Sequence, residues 1–251
     1  MTTTLIIAAF LSGSFIGAVL GFIGAGGAMV SVPILVYIFD FTPIHATTAA
    51  LAVVFLAAVA GLIPKFKSND ILVKEALIIW ALGLLTNIGL SSIADSLPET
   101  FILIGFSFVL IGAGISMLRA PIRDHPEKKI SPTLLILLSL FIGSLTGLFG
   151  IGGGFVAIPV LVLFFHTPQN KAAGTSLLII ALNCATAFLA KYQSWSGIDW
   201  NYPVIIALIA VITAQISSKL APGAPTIHLK KAFAYLLFTI AGLTLISKLF
   251  G

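Results

Sequence analysis

The stretch GFIGAGGAMVSVPILV, Gly21–Val36, decides the fold. Gly24, Gly26 and Gly27 interrupt a run that is otherwise apolar, and glycine combines poor helix propensity with tolerance of left-handed backbone angles. A broken backbone leaves N–H and C=O groups without partners. Hydrocarbon has no water to satisfy them, so such a break is tolerated at membrane depth only inside protein or against a watery cavity. The stretch therefore predicts a helix that ends at the glycines, a short apolar segment after them, and a junction enclosed by the rest of the chain.

The membrane setting follows from composition. Of 251 residues, 59% are hydrophobic and 8% charged, and mean hydropathy is +1.16, whereas a soluble domain carries about 25% charged residues. Apolar runs of about 20 residues recur throughout, the length that crosses a hydrocarbon core about 30 Å thick. This is an integral, multi-pass membrane protein. Its formal charge of +5 comes from Lys and Arg in short loops beside apolar spans, where they set orientation, so no nucleic-acid partner is expected. Cys184, the only cysteine, lies within an apolar run, which excludes a disulfide or a cysteine metal cluster. The start, MTTTLIIAAFLSGSF, lacks a basic n-region and is read as mature sequence.

The deciding stretch is written twice. FIGAVLGFIGAGGAMVSVPILV (Phe15–Val36) and FIGSLTGLFGIGGGFVAIPVLV (Phe141–Val162) agree at half their positions, without a gap, at an offset of 126. The same offset pairs Leu51 with Leu177, Lys65 with Lys191, Ser68 with Ser194, and Ser91 and Ser92 with Ser217 and Ser218. The chain divides into a first repeat, 1–118, a cytoplasmic linker, 119–131, and a second repeat, 132–251. Each repeat predicts a helix up to the glycines (5–23; 132–149) and a short segment (28–40; 154–166). Three longer helices follow, at 44–64, 72–94 and 99–118, and at 171–190, 201–220 and 229–249. The short segment, about 13 residues or roughly 20 Å, is a half-helix.

Two topologies are open. If the first helix and half-helix make one crossing, the repeats are parallel; if they enter and return as a hairpin, the repeats are inverted. Basic residues favour the hairpin, because with the linker inside, Lys65, Lys67, Lys74, Lys171, Lys219, Lys230 and Lys231 join it, leaving Lys191 and Lys248 outside. Both termini then lie outside the cell membrane. The fold class is an all-α polytopic membrane protein of two inverted-topology repeats, each a Gly-interrupted hairpin plus three transmembrane helices.

Two breaks related in this way are expected to meet near the midplane. A half-helix beginning at a break points free N–H groups and partial positive charge into the gap, which suits an anion. Inverted repeats with interrupted helices are how many secondary transporters build a substrate site. The competing explanation is that the glycines only let helices pack closely. In-register duplication, with Pro33 six residues past Gly27 and Pro159 six past Gly153, favours a site.

GFIGAGGAMVSVPIL, GLFGIGGGFVAIPVL and the downstream KAAGTSLLI (Lys171–Ile179) resemble the TauE/SafE family of sulfite and organosulfonate exporters, also called the toluenesulfonate uptake permease family. The resemblance spans both halves. It implies transport of a small sulfur oxyanion or sulfonate, of the sulfite, thiosulfate or sulfoacetate type. The first half departs from it, with Thr48, Ala49 and Ala50 standing where Gly174, Thr175 and Ser176 stand.

Candidate substrate contacts are Gly24, Gly26, Gly27, Gly150, Gly152, Gly153 and Gly174, the hydroxyls of Thr48, Thr175 and Ser176, and Lys191. Ser and Thr in membrane helices often bond only a backbone carbonyl. Lys65 reads as a snorkelling interface anchor; Lys191, on the basic-poor side, is the better candidate for drawing anions. Asn87, Asn183 and Gln215 lie deep in apolar runs and are expected to face protein or a cavity. Trp80, Trp195 and Trp200 read as membrane anchors.

No metal-ligand spacing, nucleophile motif or phosphate loop is present, so neither cofactor nor enzyme activity is expected. The sequence points to a secondary transporter of a small anion working by alternating access. An anion channel and a non-transporting scaffold remain as alternatives. A homodimer and proton coupling are compatible with this reading, the latter weakened by the lack of a membrane-embedded Asp or Glu.

Overall fold

Predominantly apolar helices form most of the described chain, with no strand among its residues. The computed structural model describes residues 3–94, 98–118, 131–149, 157–158, 161, 167–223 and 226–250. In chain order the helices are α1 (Thr3–Ile23), α2 (Gly27–Tyr37), α3 (Pro43–Lys67), α4 (Val73–Ala94), α5 (Glu99–Leu118), α6 (Pro132–Phe149), α7 (Gln169–Ala190), α8 (Asn201–Leu220) and α9 (Thr226–Phe250). Short 3-10 turns occupy Tyr192–Gly197 and Ala221–Gly223. Among the described residues, stretches within α1, α3, α4, α7 and α8 are long and apolar enough to cross a membrane. The second half-helix and the linker fall almost wholly outside the described residues.

Packing inverts the pattern of a soluble helix. On α8, Val204, Leu208, Ile212, Ile216 and Leu220 are exposed, while Ala207, Ala210, Ala214, Ser217 and Ser218 are buried. Lipid is as apolar as leucine, so helices gain little by hiding large side chains from it and instead approach closely through small ones. α1 supplies the complement with Gly13, Gly17 and Gly21, one per turn. A Cβ added at any of them would fall 2.5 to 2.6 Å from the carbonyl oxygen of Ile206, Ala210 or Ala214. The corresponding pair, α6 against α4, is made the same way: Gly143 meets the Gly83 carbonyl, and Thr86 Oγ1 donates to Leu140 O at 2.9 Å. Each half thus packs its first helix on the other half.

The same contacts give directions. Gly13, Gly17 and Gly21 meet successively later residues of α8, so α1 and α8 run the same way. α3 runs with them, since Ser218 Oγ donates to Gly61 O at 2.7 Å near both C-termini. α7 runs against α3: Gly61 faces Leu177, early in α7, whereas His45, early in α3, faces Gly197 beyond the end of α7. α2 turns back along α1. It begins beside Leu20 and leads to Phe39, whose ring lies 5.1 Å from that of Tyr202 at the start of α8. In the first repeat the hairpin is therefore the geometry formed, and α2, 11 residues or about 16 Å long, is too short to span a bilayer.

One end of the bundle collects the C-termini of α1, α3 and α8, the N-terminus of α7, and Lys65, Lys67, Lys74, Lys171 and Lys219. The opposite end holds the start of α3, Lys191 and the α7–α8 turn.

Candidate functional site

The break is enclosed, as its backbone chemistry requires. Residues Gly24 to Gly27 are all buried. Gly24 ends α1 by donating its N–H to Leu20 O at 2.8 Å, then turns with φ +79. Gly26, the N-cap of α2, has φ +88 and offers the helix no side-chain cap. Both angles lie in the region that costs other residues about 1–2 kcal/mol. Gly27 is needed for a different reason: a Cβ there would sit 2.6 Å from the Leu20 side chain that packs the two arms together. Ser31 Oγ donates to Gly27 O at 2.7 Å and closes the first turn of α2.

Several sequence candidates come together here. A Cβ on Gly24 would lie 2.6 Å from Ala173 O, and the next residue, Gly174, lies directly against the carbonyl of Asp70. Thr175 Oγ1 accepts the Leu72 N–H at 2.9 Å and donates to Lys171 O at 2.7 Å, stapling the α3–α4 loop to α7. Ser176 is fully buried beside it. The hydroxyl proton of Thr175 is therefore committed to backbone, as is that of Thr48, which donates to Ile44 O at 2.9 Å.

Other candidates lie elsewhere. Thr48 sits in the second turn of α3, at the opposite end of the bundle. Lys191 follows the last turn of α7, about 25 Å along the axis from Gly174. Gly150, Gly152 and Gly153 lie outside the described residues. The expectation that the breaks meet at the midplane does not hold for the first: Ala173 is only about 6 Å from the start of α7, which puts Gly24 towards one end. The cause is the full length of α1, whose 21 residues cross before the chain turns. Gln215 also departs from expectation, being exposed on α8, whereas Asn183 is buried.

The residue assigned only an anchor role is the one the fold encloses. Lys65 is 2% exposed, and its Nζ makes no hydrogen bond among the described residues. It sits in the last turn of α3, which closes in a Schellman turn: Asp70 N donates to Lys65 O at 3.0 Å, Asn69 N to Phe66 O at 3.3 Å, and Asn69 takes φ 55. The Asp70 carboxylate lies within electrostatic reach of the ammonium. A signal for Lys65 existed in the sequence, because the repeat pairs Lys65, Ser68 and Ser218 with Lys191, Ser194 and Ser92. The tryptophans of the opposite end are structural: Trp195 Nε1 donates to Phe188 O at 3.1 Å and its ring stacks on Phe188 at 4.4 Å.

A buried hairpin break, small-residue helix contacts and one basic end are parts of a machine that spans a membrane, and comparison with known proteins agrees. A probable membrane transporter protein of Xylella fastidiosa (strain Temecula1) is 30% identical over 186 residues, 72% of this chain and 71% of that one. One from Methanocaldococcus jannaschii is 31% identical over 221 residues, covering 82% and 81% of the two chains. The probable membrane transporter protein YdhB of Bacillus subtilis is 25% identical over 239 residues, 92% and 96% of the two. Residues 9–244 match the family described as sulfite exporter TauE/SafE, and the chain belongs to that family of membrane transporters.

Proposed function

We propose that this protein is a secondary transporter of a small anion, a sulfur oxyanion or organosulfonate, working by alternating access. The observation that carries the reading is the enclosed break at Gly24–Gly27, a buried backbone turn beside the half-helix α2, which no side chain caps. The opposed directions of α3 and α7, which occupy corresponding places in the two sequence copies, support an inverted repeat. In such a repeat the second break serves the opposite face, and rocking of the halves exposes each in turn. We take the lysine-rich end as cytoplasmic, and on that reading both chain termini lie outside.

The test is flux in proteoliposomes, screening sulfite, thiosulfate, sulfate, short sulfonates and carboxylates. Saturable uptake of one or more of these is expected. Gly26→Ala, which forces an alanine to φ +88, and the double variant Gly26→Ala/Gly152→Ala are expected to insert normally and lose most of the flux. Wild-type flux in the double variant, or an ohmic current in place of saturable uptake, overturns the reading.

A further inference from the structure

Between the C-termini of α3 and α8 lies a cavity of about 260 Å³, lined by Lys65, Lys67, Ser68, Ser218 and Lys219 together with two prolines. It adjoins the break through α1, since a Cβ on Gly21 would lie 2.6 Å from Ser217 Cβ and 2.7 Å from Ser218 N. Its volume is below the usual range for a drug-sized ligand and holds a small ion with several waters at roughly 30 Å³ each.

We infer that this cavity is an anion-binding vestibule at the basic end, taking a small oxyanion against the Lys65 ammonium with the Ser68 and Ser218 hydroxyls at its rim. The inference rests on the reading of the protein as an anion carrier. Three lysines at two helix C-termini have an ordinary explanation, which is that cations complement the partial negative charge there. That explanation suits Lys67 and Lys219, both exposed to solvent. It does not suit Lys65, which is 2% exposed and whose Nζ makes no hydrogen bond among the described residues. A buried charge demands a partner, and an ammonium brings three donors.

The nearest compensation is partial. Asp70 acts on Lys65 electrostatically, but its Oδ2 accepts from Ser68 Oγ at 2.7 Å and forms no ion pair with the ammonium. Asp70 is thus a competitor for Lys65, which an arriving anion must outbid. Ser218 is 1% exposed and its hydroxyl donates to Gly61 O, so it keeps lone pairs and position and moves toward an anion only by giving up that bond. The Lys–Ser–Ser set recurs in the sequence as Lys191, Ser194 and Ser92, which marks it as a unit duplicated with the fold.

The experiment is a thermal-shift titration of the purified full-length protein with sodium sulfite, sulfate and phosphate over a constant chloride background, run beside proteoliposome flux. Saturable stabilisation by at least one oxyanion is expected. Lys65→Gln should weaken it at least tenfold, Lys74→Gln, an exposed lysine at the same end, should leave it unchanged, and Asp70→Asn should tighten it several-fold. If Lys65→Gln fails to fold, Asp70→Asn decides, because an unchanged affinity there overturns the vestibule. Lys65→Gln binding like wild type also overturns it, as does full flux in Lys65→Gln, which leaves the carrier intact. Lys65-dependent binding with no flux of any anion in wild type keeps the vestibule and overturns the carrier.

Discussion

Lys65 and Lys191 hold the same place in the two copies of the sequence, and the two ends of the bundle treat them differently. After Lys65 the chain makes a Schellman turn through Asn69 and returns to α7, where Thr175 holds it, and the lysine is buried. After Lys191 the chain continues as a 3-10 turn carrying Trp195, and aromatic surface stacks there on Phe188. Lys191 remains partly exposed. A duplicated residue thus keeps its place at the end of its helix while the loop behind it decides its dielectric surroundings, and only the enclosed copy gains from an arriving counter-charge.

The largest effect that separates the ends is expected at their glycines. Gly24→Val places a β-branched residue at φ +79 and within 2.6 Å of the Ala173 backbone, which cannot yield; a loss beyond about 4 kcal/mol, read as absence of a folded peak in size-exclusion chromatography, is expected. Gly197→Val at the other end meets only the His45 imidazole, at 2.8 Å, and that side chain can rotate away. Its melting temperature should fall by only a few degrees. Equal damage at both ends would remove the asymmetry.

Next in size is transport. Lys65→Gln is expected to slow oxyanion flux by at least tenfold, about 1.4 kcal/mol, and Lys191→Gln by much less, in parallel proteoliposome assays. The reverse order would move the site to the opposite end and restore the role the sequence alone suggests for Lys191.

A smaller difference lies in the threonines. Thr175→Val strands the Leu72 N–H, at a cost of about 1–3 kcal/mol, whereas Thr48→Val removes only a bond to its own helix and should cost less than about 1 kcal/mol. Thermal melts of the two variants in the same detergent check this. The finest probe perturbs least: a membrane-impermeant maleimide should react with Ser194→Cys in intact cells and with Ser68→Cys only after the cells are permeabilised. Labelling from one face would refute the inverted arrangement.

Much of the architecture was legible before any coordinates. Periodic apolar runs and a gapless duplication placed α1 to α6 and α7 to α9 within a few residues, because a segment crossing lipid must be apolar all round and about 20 residues long whatever its neighbours are. The Gly24–Gly27 break was legible too, since positive φ and close approach narrow the choice of residue. Lys65 was not. A lysine at a helix end looks like a snorkelling anchor whether it is covered or free, and its setting beside Ser218 and Asp70 depends on how α8 and the α3–α4 loop pack.

By itself the sequence determined the medium, the helices, the two copies and the place where the backbone must break, because all of these follow from local satisfaction of backbone hydrogen bonds in hydrocarbon. Tertiary structure alone decided that the first break lies near one end, that Thr48 and Lys191 stand apart from it, and that Lys65 is enclosed. Those are matters of distance between segments remote in the chain, set by Gly13, Gly17 and Gly21 seating α1 on α8, and no local rule of residue spacing encodes them.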